Sequence, residues 1–249
     1  MTRSLTILSL YPRQLGINGD SGNVLALATR AGWRGIDVTV VDHNVGDTLP
    51  ESVDLIHIGS GPRTAQLAVV ADLASIAPRL REWKAQGVPV LAIAGGWQLL
   101  GSTVTDENGE RMPGAGLFPS ASVLVAKRAV GEIVLSTENG RVAGFENHGA
   151  VTTLEPGAIP LGTVVAGFGN AGAASSDGPE VDGVVDGASI ATNLHGPFLP
   201  MNPEWADRLL AAALTLRGLD PTLAADERAA SVDLAASNAR AAIAKRLGL

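Results

Sequence analysis

An α/β fold with a mostly parallel central sheet and helices on both faces is what this 249-residue sequence predicts. Three observations carry the prediction. Short apolar runs alternate with longer segments of helical period, the pattern of strands joined by crossover helices. A buried strand around Val90 runs straight into two glycines and a helix, which is a tight strand-to-helix turn. The length suits one large domain or two small ones, and a chain of this size builds a core without metal or disulfide staples. We read residues 1–249 as a single domain.

The elements follow in order. Leu5 to Leu10 is a first strand. Gly22 to Arg30 is a helix with Val24, Leu25, Leu27 and Ala28 on one face. Asp37 to Val41 and Asp54 to Ile58 are the second and third strands, and the third ends in the loop Gly59-Ser60-Gly61-Pro62. One helix starts near Gln66 and another runs through Ile76 to Gln86. Val88 to Ile93 is a buried strand whose Pro89 sits near its start, where proline is tolerated. It stops at Ala94-Gly95-Gly96, and Trp97-Gln98-Leu99-Leu100 begins a helix.

From Gly114 to Gly187 the chain is rich in glycine and β-branched residues. It reads as short strands and turns: Ser122 to Val125, Glu132 to Leu135, Gly162 to Gly167 and Gly183 to Val185, with Gly169 to Gly187 mostly loop. These form an antiparallel extension. Ser189 to Leu194 is a late strand that delivers His195 into a loop. Pro203 to Arg217 is a helix with proline in its first turn. The tail from about Leu223 to Leu247 is helical, with Val232, Ala236, Ala239, Ile243 and Leu247 in one apolar stripe. That stripe packs on its own domain or docks on a partner.

Composition excludes several classes. Lys and Arg total 18 against 25 Asp and Glu, a net charge of −7 without a basic tract, so nucleic-acid binding is not expected. The cysteine count of 0 removes disulfides, thiolate metal sites and any cysteine nucleophile. No metal-ligand spacing is visible, no cofactor is implied, and no G-x-x-x-x-G-K-[ST] phosphate loop occurs. No apolar run approaches the roughly 20 residues of a spanning helix. With no targeting segment at the start either, a cytoplasmic protein without membrane insertion is expected.

The segment Val90 to Leu100 has the layout of a nucleophile elbow, in which a side chain sits at a sharp turn between small neighbours. The backbone N–H after the tip points into such a site and can hold an oxyanion; a Gly59-Ser60-Gly61 loop can supply a second donor. The alternative is an ordinary glycine-rich turn. His195, delivered by a strand end, favours a site, because ligands gather at the carboxyl ends of strands.

With these residues in view, the chain resembles the type 1 glutamine amidotransferases of the cobyric-acid-synthase-like (CobB/CobQ-like) group. Within it, the likeness is nearest to the GatD-type, glutamine-hydrolysing subunits of lipid II isoglutaminyl synthases. The matching residues are Gly19 to Asn23, Gly59-Ser60-Gly61, Gly95 to Gly101, Lys127-Arg128, Gly144 to Gly149, and Asn193 to Pro197 through Pro200. They span roughly residues 5 to 205. The resemblance implies a flavodoxin-like class I amidotransferase sandwich. It implies hydrolysis of glutamine by a cysteine at the elbow, with a histidine moving the proton. It implies a Mur-ligase-like (MurT-type), ATP-dependent partner that uses the ammonia to amidate D-glutamate of the peptidoglycan precursor. His195 matches the base. Arg128 matches an arginine that holds glutamine, with Gly59, Ser60, Gly61, Gly95 and Gln98 around the substrate.

Two departures stand out. The elbow tip, where the family has cysteine, is Ala94, and a methyl group cannot attack a carbonyl. The loop Gly59 to Thr64 lacks the third glycine and the acidic residue that often follow in GatD-like sequences. Ala94 reads as a Cys→Ala substitution, as the mark of a pseudo-amidotransferase that binds or scaffolds, or as a sign that Ser60 serves instead. His195 has Pro197, not a carboxylate, two positions on, which fits a dyad. Other residues have plainer readings. His43 and His57 are core or surface histidines, and His148 is a pocket or partner-surface candidate. Asp20 and Asn23 either cap the first helix or bind an anion at its N-terminus.

Overall fold

A computed structural model describes residues 3–172 and 180–249. The first half holds β1 (Ser4–Leu10), α1 (Ser21–Trp33), β2 (Asp37–His43), β3 (Leu55–Ile58), α2 (Arg63–Ala85), β4 (Val90–Ile93) and α3 (Gly95–Leu100). Then come β5 (Thr103–Thr105), β6 (Arg111–Pro113), β7 (Ser120–Thr137), β8 (Gly140–Leu154), β9 (Gly162–Ala166), β10 (Val181–Asp182) and β11 (Val184–Asp186). The chain closes with β12 (Ser189–Thr192), β13 (Leu194–His195), α4 (Phe198–Met201), α5 (Pro203–Leu216) and α6 (Glu227–Arg246).

The central sheet runs β11-β12-β4-β3-β1-β2. All neighbours are parallel except β11, which pairs antiparallel with β12 at the edge. Read along the chain, the parallel strands have the doubly wound order with its switch point between β1 and β3. β3 and β4 are buried along their whole length, because apolar layers cover both faces. On one face Leu5, Ile7, Leu91 and Ile93 pack with Leu27 of α1 and Leu209 and Leu210 of α5. On the other, Leu8, Ile56, Val90 and Ala92 pack with Val69, Leu73 and Leu80 of α2.

Several sequence readings need correction. The two helices expected after Gln66 are one, α2, of 23 residues with Pro78 inside it. A helix interior tolerates that proline because Val69, Leu73, Ala77, Leu80 and Trp83 bury one continuous stripe on either side of it. Of the middle segment only β11 extends the central sheet, as its antiparallel edge strand. Most of the rest forms its own sheet around a long hairpin, β7 against β8, into which two of the short strands expected merge. Residues 173–179 of the expected loop lie outside the described residues; β10 and β11 lie in its second part. Leu25 is exposed, since the buried stripe of α1 is Asn23, Val24, Leu27, Arg30 and Ala31. His195 is in a two-residue strand, not a loop: β13 pairs with β8, with His195 opposite Phe145.

Helix α6 starts later than expected, where the Asp226 side chain accepts from the Arg228 and Ala229 amides. It packs on its own domain through Ala229, Ala236 and Ile243, leaving Val232 and Leu247 of the expected stripe exposed. Its anchor is buried Arg30 of α1, which forks onto Asp207 of α5 at 2.7 and 2.8 Å and reaches Asp233 of α6 at 2.6 Å.

Candidate functional site

Four loops leave the carboxyl ends of β1, β3, β4 and β12 and meet above the switch point. The one after β4 turns most sharply. Ala94 has φ 40° and ψ −104°, a conformation that an L side chain rarely adopts. Its two glycine neighbours are small for a measurable reason. A Cβ on Gly96 would lie 2.4 Å from the Gly59 carbonyl oxygen, and one on Gly95 would lie 2.7 Å from Gln66 Nε2. The elbow is therefore pressed against the Gly59-Ser60-Gly61 loop. The Ala94 amide donates to the Thr192 carbonyl at 2.8 Å, which ties the tip to the strand leading to His195.

The loop after β1 contributes the residue that motif reading missed. Asp20 is fully buried and does not cap α1 with its side chain. Its Oδ1 lies 3.0 Å from His195 Nδ1, and its Oδ2 accepts from the Ser60 amide at 2.7 Å. The carboxylate can only accept, so Nδ1 carries a hydrogen, and in the neutral ring Nε2 then keeps its lone pair. Nε2 has no protein partner. The expected dyad thus has a third member, 175 positions away in sequence. The loops are locked together by Pro197, whose ring would lie 2.6 Å from a Cβ on Gly22. Asn23 neither caps nor awaits an anion: its Oδ1 accepts from the Leu199 amide at 2.8 Å.

A cleft of about 560 Å³ opens beside these loops. Ser60, Gly61, Gly95, Gln98 and Arg128 of the expected substrate set line it, as do Gln66 and His148. Gly59 does not; it is where the loop touches Asp20 and Leu15. Ala94 and His195 do not line it either, being 1 and 2 % exposed beneath its floor. The Ala94 methyl belongs to the apolar core shared with Leu194.

Arg128 owes its place to an irregularity in the hairpin. Five steps along β7, from Leu124 to Ala129, face only two along β8, from Ala150 to His148. The extra residues bulge out and line the cleft wall. Gly149 allows this, since a Cβ there would lie 3.0 Å from the Val125 carbonyl oxygen. The exposed guanidinium is oriented by the Asn147 side chain and carbonyl, at 2.7 and 2.8 Å. His148 is buried, with Nδ1 3.1 Å from the Ala150 carbonyl oxygen and Nε2 3.4 Å from Glu146 Oε2.

Two of the loop donors are already engaged. The Ser60 amide is held by Asp20, and the Gly95 amide donates to Ser60 Oγ at 3.3 Å. Ser60 Oγ makes no hydrogen bond to an imidazole among the described residues, so the hydroxyl has no base to activate it. His43 is a core residue, 2.9 Å from Asp72 Oδ2, which also accepts from Tyr11. Among the described residues no group of three or more His, Cys, Asp or Glu could hold a metal ion, and no helix is long and apolar enough to cross a membrane.

His57, on β3, is buried with both ring nitrogens unpartnered. Burial pushes its pKa down from 6.5 to about 4, against the pull of the Asp20 charge. A depressed histidine binds fewer protons folded than unfolded. The resulting stability is complete above the unfolded value of about 6.5 and is lost as the pH falls towards 4. Urea unfolding at pH 7.5 and 4.5 should show a loss on the order of 3 kcal/mol from this group. His57→Leu should remove that part of the loss. Identical pH dependence in the two proteins would refute it.

The family described as the CobB/CobQ-like glutamine amidotransferase domain matches residues 6–203. The chain is 34% identical over 217 residues to the GatD subunit of lipid II isoglutaminyl synthase (glutamine-hydrolyzing) from Staphylococcus aureus, covering 86% of each chain. It is 32% identical to the same subunit from Streptococcus pneumoniae, over 93% of this chain and 89% of that one. A probable cobyric acid synthase of Methanosphaerula palustris is 31% identical over 78% of this chain but only 38% of its own length. Among solved structures, a glutamine amidotransferase aligns with a TM-score of 0.56 at 18% identity, over 85% of this chain and 99% of that one. Another from Thermotoga maritima aligns over 97% of each chain with a TM-score of 0.52 at 14% identity. These two likenesses speak for the fold.

Proposed function

The chain belongs to the family of CobB/CobQ-like glutamine amidotransferase domains, and from that premise we propose that it is the glutamine-binding subunit of a two-protein amidotransferase acting in peptidoglycan synthesis. Its partner on this reading is a Mur-ligase-like (MurT-type) synthetase that amidates D-glutamate of lipid II. The chain has no phosphate loop of its own, so ATP is handled by that partner. The pair works in the cytoplasm.

One observation carries the reading. The elbow at residue 94 keeps its strained backbone, its two tightly packed glycines and an Asp20-oriented His195, yet bears a methyl group. This arrangement still has the groups to position a glutamine. Arg128 offers a guanidinium to the α-carboxylate, and Gln98 and Gly95 line the floor beneath the side chain. His195 Nε2 would take the proton of a nucleophile at the tip and return it to the departing ammonia. With a methyl at the tip that proton does not exist, so glutamine is bound and not hydrolysed.

Isothermal titration of the chain with glutamine tests this. Measurable binding that weakens at least about tenfold on Arg128→Ala supports a retained pocket, since a charge-assisted pair contributes roughly 1.5–3 kcal/mol. A second reading, a non-catalytic scaffold for the synthetase, draws on the engaged Ser60 and Gly95 amides and on the burial of Ala94 and His195 below the cleft. No glutamine binding, together with a tight complex with the synthetase, would favour the scaffold.

A further inference from the structure

We propose that Gln66 is a specificity-determining residue of this cleft, its side-chain oxygen reading an N–H donor on the bound amino acid and so separating glutamine from glutamate. The inference rests on the glutamine-binding reading above. Gln66 lies in the first turns of α2, is 7 % exposed, and lines the cleft. Its Nε2 donates to the Gly61 carbonyl at 3.1 Å. Only the amino end of a carboxamide can donate to a carbonyl, so this bond fixes which way the amide faces. The oxygen is left buried and without a partner.

The amide is also held in place. It lies against Gly95, where an added Cβ would meet Nε2 at 2.7 Å and Cδ at 3.3 Å. The amide group therefore sits against the residue that follows the elbow tip. Gln98, which also lines the cleft, carries a second buried, unpartnered side-chain oxygen. A buried acceptor without a donor costs stability, and a ligand bringing an N–H removes that cost. The carboxamide of glutamine brings one. The side chain of glutamate brings carboxylate oxygens, which repel an amide oxygen. Arg128 sees the α-carboxylate that both amino acids share, so it adds affinity without discriminating.

The test is titration of the full chain with L-glutamine and with L-glutamate. No nucleophile stands at the tip, so glutamine stays intact throughout. Gln66→Met keeps the length of the side chain and removes both amide atoms. It should weaken glutamine binding about tenfold and leave glutamate as strong or stronger, collapsing the preference. Gln66→Glu keeps an acceptor and adds charge; it should hold glutamine within a few-fold and weaken glutamate about tenfold more. Arg128→Ala should weaken both ligands by similar factors. Gln66 variants that weaken both ligands equally, or that keep the native preference, overturn the assignment while leaving the glutamine-binding reading intact. If the native chain binds neither amino acid, the functional reading falls, and this inference with it.

Discussion

On the proposed reading, Ala94→Cys is expected to turn a chain that binds glutamine without hydrolysing it into a glutaminase. In the presence of the synthetase the variant should approach ordinary enzyme rates, on the order of 1–10³ per second. Little else has to be built. The backbone at residue 94 already has the strained conformation of an elbow tip. His195 already has its Nδ1 committed and its Nε2 lone pair available. On the proposed reading a thiol placed there meets that base, which is what a cysteine nucleophile needs. The outcome is read as ammonia or glutamate released per minute, native chain against variant. Ordinary turnover by the native chain would refute the assignment of Ala94 as the blocked position. No gain in the variant would show that the engaged Ser60 and Gly95 amides no longer release to stabilise an oxyanion.

Asp20→Asn, introduced into the Ala94→Cys background, is expected to lower kcat by about 10²–10⁴-fold with little loss of fold stability. The reason is the tautomer. Asparagine still offers an oxygen to the Ser60 amide, so its amino group must face His195 Nδ1. An amino group donates, so Nδ1 becomes the acceptor and the hydrogen moves to Nε2. The ring is then in place but cannot take a proton from the thiol. A purely structural Asp20 would behave differently, with a lower unfolding midpoint and an unchanged kcat. The pH profile of kcat should change with it, because the group that orients the base has lost its charge.

Much of this molecule is legible in one dimension. Val88 to Ile93 followed by Ala94-Gly95-Gly96 announces both a buried strand and a sharp turn. Both are local, one written in a run of apolar residues and the other in the absence of side chains where the turn closes. Arg128 and Gln98 were found through motif likeness, and they do meet in one cleft. The errors have physical causes as well. The two helices read between Gln66 and Gln86 are one, because a continuous buried stripe carries the helix through Pro78. The separate sheet built on β7 and β8 was hidden because Arg128 and its neighbours break the alternation of a long strand with a bulge. Asp20 looked like a helix cap because aspartate before a helix usually is one.

By itself, then, the order of residues determined the parallel strands, most of the helices, the elbow and the methyl group at its tip, since each is a property of a few consecutive side chains. Only the tertiary structure decided that Asp20 pairs with His195, that Gln66 lines the cleft while its side-chain oxygen goes unpaired, and that Ala94 is buried and does not line it. Those relations depend on which strands lie side by side. Hydrophobic periodicity says that a strand is buried but not who its neighbour is, and only the assembled parallel sheet brings the carboxyl ends of four distant strands to one place.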